Sequence, residues 1–353
     1  NLHLGLRLEL EPLLGWPGAT VTVSGLNRYG RSLTNEYVGN RYNVQQVFGG
    51  QTYMLYALHF EQRLLHDAFS IKAGRYAASD DFNSAGVYGM YMNHGINGFV
   101  RNVQVNTQYS VYPFATWGLR LRASVGRLFN ARLGIFHNSD RVFDPSRHGA
   151  DFRIQRGDGF LAVGQLALTP GGSAPNGQST TAASNQPSGH YWVGATVSRF
   201  HYARFDGEGN ERLSYGFYAH ADQLVYREHA EREEGLVLWT AGGLYPQDVI
   251  ATIPAQVNAG AIYRGLFPRR PEDALIAGVV YGSFSRSYAR AFGSAAGQPV
   301  AEPTHELVLE LAYRLALRGF FYMEPDIQWI SRPAGTGAID DALVVGMQNG
   351  LVF

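Results

Sequence analysis

The sequence predicts an all-β protein, a transmembrane antiparallel β-barrel that forms one domain over residues 1–353, with sixteen strands. Apolar and polar residues alternate with a period of two through most of the chain. The alternating segments run 10 to 14 residues, near the roughly 9–11 that a tilted strand needs to cross a bilayer. One face of each segment is rich in leucine and aromatic residues, while the other carries charge, glycine and small residues. This arrangement is typical of a barrel with a wet lumen.

A soluble β-sandwich is the alternative fold for an alternating sequence. Its strands also alternate, with the polar face toward water, so alternation alone does not decide between the two. The length of the segments, the composition of their faces and the order of short turns and long loops favour the barrel.

The strand patterns recur in order along the chain. The first segment reads LHLGLRLEL, in which every second residue from Leu2 to Leu10 is leucine. ATWGLRLRASVG and LSYGFYAHA alternate in the same way, and ELVLELAYRLAL sets a leucine-rich face against a charged one. The fifteen predicted strands lie near 2–11, 19–28, 51–63, 67–76, 114–126, 130–138, 158–169, 189–202, 212–226, 235–245, 255–265, 274–286, 303–317, 320–330 and 341–353.

The connections between these strands alternate between short and long, as barrel turns and outer loops do. The short turns are predicted at Leu64–His66, Leu128–Asn130, Pro268–Asp273 and Arg318–Gly319. The long connections are predicted near 29–50, 77–113, 139–157, 246–254, 287–302 and 331–340. The exception is the low-complexity stretch 170–188 on the short-turn side, which we interpret as a flexible insertion.

The odd number of strands leads to the prediction of sixteen, because bacterial barrels close with an even number. The missing strand lies either before Asn1 or within residues 85–112. The chain starts without the charged and apolar regions of a signal peptide, so we expect that peptide to have been removed already. The last strand ends in Phe353, and a terminal aromatic residue on an alternating strand is a signal for outer-membrane assembly. We therefore expect the bacterial outer membrane, with membrane lipid and lipopolysaccharide as partners.

Composition excludes several other classes of protein. Basic and acidic residues balance at 29 each, which argues against a nucleic-acid partner because phosphates require a basic excess. The absence of cysteine excludes disulfides, thiol catalysis and cysteine-bound zinc. No histidine pair has metal-ligand spacing, and no common catalytic motif is present. We therefore expect no metal, no cofactor and no enzymatic activity.

The longest connection, 77–113, is the candidate for an inward loop that narrows the lumen, since a loop of this length is functional or disordered. Its small and glycine residues allow tight folding. The candidate constriction residues are Asp80, Asp81, Phe82, Tyr88 and Tyr91. The alternative for Asp80 and Asp81 is that they cap a turn.

Charged residues on the inward faces are the other candidates for contact with solutes. Arg120 and Arg122 share one face of a strand that lies eight strands from ELVLELAYRLAL, on the opposite wall of a sixteen-stranded barrel. Opposed arginine and carboxylate walls offer hydrogen bonds to hydroxyl-rich solutes; alternatively these charges only pair with one another. The remaining candidates are Arg75, His220, Asp222, Glu306, Glu310, Arg314, Glu324 and Asp326. Aromatic residues at strand ends fit interfacial girdles, namely Trp16, Trp192, Trp239, Trp329 and Tyr322.

Several strings resemble the carbohydrate-selective porin family of the OprB type. They are LLGWPGATVTVSGLNRYGRSLTNEYVGN (13–40), KAGRYAASDDF (72–82), YPFATWGLRLR (112–122), YRGLFPRRPEDALIAGVVY (263–281) and EPDIQWISRPAG (324–335). The similarity runs from Asn1 to Phe353, and the 170–188 insertion is a departure from the family. The resemblance implies an outer-membrane barrel that passes sugars, a further strand upstream, and a monomer rather than a trimer.

The sequence thus supports three hypotheses for function. The first is a passive outer-membrane porin for small hydrophilic solutes that prefers neutral sugars. The second is a general or cation-selective ion porin, suggested by the carboxylates of the last strands. The third is a structural or accessory barrel of an envelope complex.

Overall fold

In the computed structural model, residues 1–45, 52–170, 188–228, 234–295, 303–318 and 320–351 are described. Phe353 and all but the ends of the 170–188 insertion lie outside these residues, so the interpretations placed on them stay predictions.

Fifteen antiparallel strands form one sheet in which each strand is hydrogen-bonded to the next in chain order. They are β1 Leu2–Glu9, β2 Ala19–Arg28, β3 Thr52–Leu64, β4 Phe69–Tyr76, β5 Thr116–Val125, β6 Phe129–Asn138, β7 Gly159–Leu168, β8 Gly189–Ala203, β9 Asn210–Arg227, β10 Gly235–Leu244, β11 Ala255–Arg264, β12 Ala274–Ser283, β13 His305–Arg318, β14 Phe321–Ser331 and β15 Ala342–Leu351. All fifteen predicted strands are confirmed, with boundaries that agree to within three residues.

The ends of the sheet bear on the predicted sixteenth strand. Among the described residues β1 pairs with β2 alone and β15 with β14 alone, so this sheet is not closed. Residues 85–112 contain a 3₁₀-helix and an α-helix but no strand, and the alternative that a strand was missed there is wrong. A strand before Asn1 remains the prediction.

The helices are short and lie in the connections. The α-helices are α1 Leu10–Leu14, α2 Arg101–Asn106 and α3 Arg286–Ala295. A π-helix spans Thr34–Val38, and 3₁₀-helices span Ala78–Asp80, Gly86–Met90, Asp140–Phe143, Pro145–Arg147 and Pro333–Gly335. Within the described ranges, none of the helices is long and apolar enough to span a membrane.

The two faces of the sheet are inverted relative to a water-soluble protein. On β5, Leu119 and Leu121 are exposed while Arg120 between them is buried. On β13, Leu309 and Leu311 are exposed on either side of buried Glu310. An apolar outer face is stable when its solvent is lipid, and the polar inner face then surrounds the lumen.

The predicted short turns near 64–66 and 268–273 are found between their strands, and the turn near 128–130 is shifted, while Gly319 of the predicted Arg318–Gly319 turn lies outside the described residues. Leu65, His66 and Asp67 take left-handed backbone angles in the first short turn. The turn predicted at Leu128–Asn130 lies instead just before Phe129, where β6 begins. Gly126, with φ of 57°, supplies the left-handed angle there, because glycine adopts it at little cost.

Candidate functional site

Residues 77–113 lie against the polar face of the sheet. Asn83 N donates to Gln165 Oε1 on β7 at 3.0 Å, and Asn102 N donates to Gln256 Oε1 on β11 at 2.8 Å. The sequence-predicted Phe82, Tyr88 and Tyr91 are buried in this packing. Backbone groups that leave a strand need hydrogen-bond partners when buried, and polar side chains of the inner face supply them.

The first residues of this segment are fixed by ion pairs. Lys72, the only lysine of the chain, lies 3.1 Å from the Asp81 carboxylate, and Arg120 lies 3.7 Å from it. Arg132 Nη1 donates to the Asp81 carbonyl at 2.5 Å. Burial opposes ionisation of Asp81, but Lys72 and the arginines outweigh it and lower the pKa of this carboxyl.

Asp80, the neighbouring carboxyl, has a different environment. It accepts a hydrogen bond from the hydroxyl of Tyr56 on β3. Partial desolvation within the packed segment and the negative charge of Asp81 raise the pKa of Asp80 to about 6, although the residue is still exposed to solvent. The pKa values of these two adjacent aspartates are therefore shifted in opposite directions, because Asp81 lies closer to the cations of β4 and β5.

The arginines of the inner face differ in their access to the lumen. Arg120 pairs with Glu61 at 2.7 Å and is buried, whereas the Arg122 side chain keeps 15% of its surface exposed beside Asp67. Arg314 on β13 pairs with Glu324 on β14 and keeps 19% exposed. Arg122 and Arg314 are therefore less buried than Arg120.

The prediction that Arg75 lines the pore is wrong, because Arg75 does not face the lumen. It stands opposite Trp117 in the β4–β5 register, on the other face of β4 from Lys72. Its guanidinium lies 4.9 Å from the centre of the Phe152 ring and donates to the Gly149 and Asp151 carbonyls. Alternation along the strand predicts this, since residues three apart point to opposite faces.

The carboxylates of β13 accept hydrogen bonds from backbone N–H groups of the loops. Glu306 accepts from Arg41, Tyr42 and Ala334, each at 2.7 Å. Glu310 accepts from Met92 at 2.5 Å and from Asn93 at 3.1 Å. Both carboxylates are buried, as are Glu324 and Asp326 on β14.

His220 and Asp222 belong to a buried hydrogen-bonded chain. Asp222 bridges His190 and His220, with 2.8 Å to each ring, and His220 lies 2.8 Å from the Tyr88 hydroxyl. The Trp192 ring stacks on His220 with 5.0 Å between centroids. These hydrogen bonds connect the 77–113 segment to β8 and β9.

Only some of the five aromatic residues predicted to form an interfacial girdle lie on the outer side of the sheet. Trp16 and Trp329 are exposed on the outer side, as a girdle requires. Trp192 and Trp239 are buried, and Trp239 Nε1 donates to the Tyr91 hydroxyl at 2.8 Å. Tyr322 lies under Arg314, 4.5 Å from its guanidinium to the ring centre. The girdle prediction is wrong for these last three residues, because they occupy inward positions of their strands.

Sequence reasoning missed Lys72 and Arg132 as partners of the 77–113 segment, and Glu61 as the partner of Arg120. The alternation along β4 does indicate that Lys72 points inward, because it shares its face of the strand with Ser70 and Tyr76, which are also buried. Across the ranges that the structure covers, no cluster of histidine, aspartate and glutamate could hold a metal ion.

Comparison with known proteins identifies the family. The chain matches the carbohydrate-selective porin, OprB family over residues 1–353. Porin B of Pseudomonas aeruginosa is 25% identical over 382 residues, covering 99% of this chain and 80% of that protein. The putative porin QuiX of Acinetobacter baylyi is 23% identical over 384 residues, covering 100% of this chain and 82% of that protein.

Solved structures show the same fold. The high-pH structure of Pseudomonas putida OprB superposes with a TM-score of 0.88 at 22% identity, covering 99% of this chain and 87% of that chain. Its low-pH structure gives a TM-score of 0.59 at 19% identity, over 99% of this chain and 84% of that one. The match covers the whole sequence, so the chain belongs to the carbohydrate-selective porin, OprB family, whose members are outer-membrane β-barrel channels and not enzymes.

Proposed function

We propose that the protein is a passive outer-membrane porin in which sugars cross the lumen beside residues 77–113. The observation that carries this proposal is the seating of that segment on the polar face, through Glu310, His220 and Gln256. A segment held across the interior of a barrel narrows the path of a solute. We propose that this narrowing, within the single domain 1–353, is the selective part of the channel.

The preference for neutral solutes follows from the pairing of the charges. Lys72 with Asp81, Arg120 with Glu61, and Arg314 with Glu324 each cancel locally. Because these charges cancel in pairs, this part of the wall contributes little net field to attract ions, yet its N–H groups still offer hydrogen bonds to hydroxyls. Pairing within the lumen and recognition of solutes are thus compatible roles for the same residues.

The candidate residues divide between contact and support. We propose that Arg122, Arg314 and Tyr322, which are partly exposed, touch the solute. The buried candidates support the narrow part from the wall of the barrel; they are Phe82, Tyr88, Tyr91, Arg120, His220, Asp222, Glu306, Glu310, Glu324 and Asp326. We propose the same supporting role for Asp81, which is half-buried, and for Asp80, which is exposed.

The surroundings of the barrel are also part of the proposal. The exposed leucines of β5 and β13 would contact lipid, with lipopolysaccharide on the side of the long loops. We propose a monomer whose signal peptide is removed before insertion.

A planar-bilayer recording separates a sugar channel from an ion-selective porin. In a salt gradient we expect a reversal potential near zero, and in symmetric salt we expect a monosaccharide to reduce the current. Arg314→Gln should weaken that reduction, because it removes donors that the solute can reach, while Glu272→Gln on an exposed turn should leave it unchanged. Strong cation selectivity with no effect of sugar would instead support the general porin.

A further inference from the structure

The connection between β6 and β7, residues 139–158, lies on the outer side of the barrel wall. Trp117 Nε1, on the outward face of β5, donates to the Phe152 carbonyl at 3.0 Å. Arg75, on the outward face of β4, donates to the Asp151 carbonyl at 2.8 Å. The connection therefore crosses back over β5 to β4 before it returns to β7, and its surface faces the surroundings of the barrel instead of the lumen.

The outward residues of β8 show where the apolar band of the wall ends. Val193 and Val197 are exposed on this face, and Tyr191 precedes them on the short-turn side. The next outward residue after Val197 is Arg199, which is also exposed. From Tyr191 to Arg199 the strand extends about 26 Å, close to the roughly 25 Å height of the apolar band in such barrels. Arg199 therefore lies at the depth of the lipid headgroups on the side of the long loops.

Apolar side chains and a second arginine lie beside Arg199. Phe160 on β7 and Leu213 on β9 stand opposite it in the strand register, and both are exposed on the outer face. Gly159 packs so closely on the Arg199 carbonyl that no Cβ would fit there. Arg156 is exposed in the tight turn before β7, within about 11 Å of Gly159, since three residues span no more.

These two arginines differ from the other cations of the connection in having no counter-ion. Arg147 and Arg153 both pair with Asp151, at 2.9 and 2.8 Å. In the part of the chain that the structure describes, no carboxylate lies within ion-pair distance of Arg156 or Arg199. Two exposed cations without a counter-ion, at the edge of an apolar surface, are complementary to a lipid with an anionic head.

We propose that Arg156 and Arg199 bind a phosphate group of lipopolysaccharide, whose acyl chains pack on Phe160 and Leu213. Guanidinium groups donate paired hydrogen bonds to phosphate oxygens, and the apolar neighbours lie on the membrane side of the same surface. The proposal names a site for the lipopolysaccharide of the proposed function. It rests on the outer-membrane location in that proposal and not on the passage of sugars.

Binding of fluorescently labelled lipopolysaccharide to the purified protein in a neutral detergent tests this site. The test variant carries Arg156→Gln and Arg199→Gln. The matched control carries Arg127→Gln and Arg269→Gln, which remove two exposed arginines from the short-turn side and change the net charge equally. An arginine near an anionic lipid surface contributes about fivefold to binding, so the test variant should bind roughly 25-fold more weakly. The control should bind as the wild type does.

The chemistry of the ligand is tested with two further probes. Lipopolysaccharide from which the phosphates have been removed should bind the wild type as weakly as the intact lipid binds the test variant. Inorganic phosphate at millimolar concentration should not displace the lipid. Equal affinity for the two lipids, an equal loss in the control variant, or displacement by inorganic phosphate would each overturn the proposal.

Single-channel recordings of the same variants separate this proposal from the proposed function. Conductance and sugar block should stay as in the wild type, because both arginines lie outside the lumen, and this also shows that the variant has folded. Normal sugar block with unchanged lipid affinity would overturn the site alone. Absence of sugar block in the wild type would overturn the sugar channel alone. If the double variant does not fold, Arg156→Gln in the exposed turn should still weaken binding about fivefold, and an unchanged affinity there would overturn the site.

Discussion

Asp81→Asn is expected to lower the free energy of unfolding by about 3 kcal/mol, because it leaves Lys72 buried without its anion and removes one of the two carboxylates that Arg120 pairs with. Urea unfolding in lipid vesicles measures this change. The matched control is Asp67→Asn. Asp67 pairs with Arg122 but is 52% exposed, so its loss should cost less than about 1 kcal/mol. Asparagine also tolerates the left-handed backbone of Asp67.

The effect of Asp81→Asn should depend on pH. The pKa of Asp81 is lowered in the folded state, so its stabilisation is present above the unfolded pKa and is lost as pH falls through the folded one. The difference in unfolding free energy between wild type and Asp81→Asn should therefore shrink in acid. Equal stability of the two proteins at pH 7 would contradict the proposed role of the ion pairs.

Replacing residues 85–98 by two glycines is expected to raise the single-channel conductance several-fold and to abolish the sugar preference. The deletion removes Tyr88, Tyr91 and Asn93, which lie against the inner face of the sheet between β9 and β14. It can be joined because Asn83 Nδ2 donates to the Val100 carbonyl at 3.2 Å, so its ends are neighbours. Water would then replace the deleted residues as the hydrogen-bond partner of Glu310 and His220.

A deletion of equal length provides the control. Residues 172–185 lie between Pro170 and Gly189, whose backbone groups are hydrogen-bonded at 3.3 Å. Removing them in the same way should change neither conductance nor sugar preference, because in the sequence they connect β7 to β8 on the side where the short turns are predicted. Unchanged conductance after deletion of 85–98 would show that this segment does not narrow the channel.

The strands could be predicted from the sequence almost completely because a period of two is a local property. The inward position of Glu310 and Arg120 follows from the leucines beside them. Arg75 and Trp239 were assigned by their proximity to a loop or strand end instead of by alternation, and both assignments were wrong.

The partners of the loops could not be predicted. Met92 and Glu310 are 218 positions apart, and only the folded sheet brings them together. A loop has no periodic pattern that shows which way its side chains point, so the hydrogen bonds of Asn93 to Glu310 and Gln328 have no signal in a single sequence. The family resemblance was confirmed over the whole chain, but it does not supply these contacts.

Liposome swelling with neutral solutes tests the central claim most directly. The purified protein is reconstituted, and the initial swelling rate is compared for a monosaccharide, a disaccharide and size-matched solutes with fewer hydroxyls. A sugar-preferring porin predicts that the monosaccharide enters faster than its size-matched partner and that the disaccharide enters more slowly. Equal rates for sugars and size-matched solutes would contradict the preference, and no swelling with any solute would contradict a channel altogether.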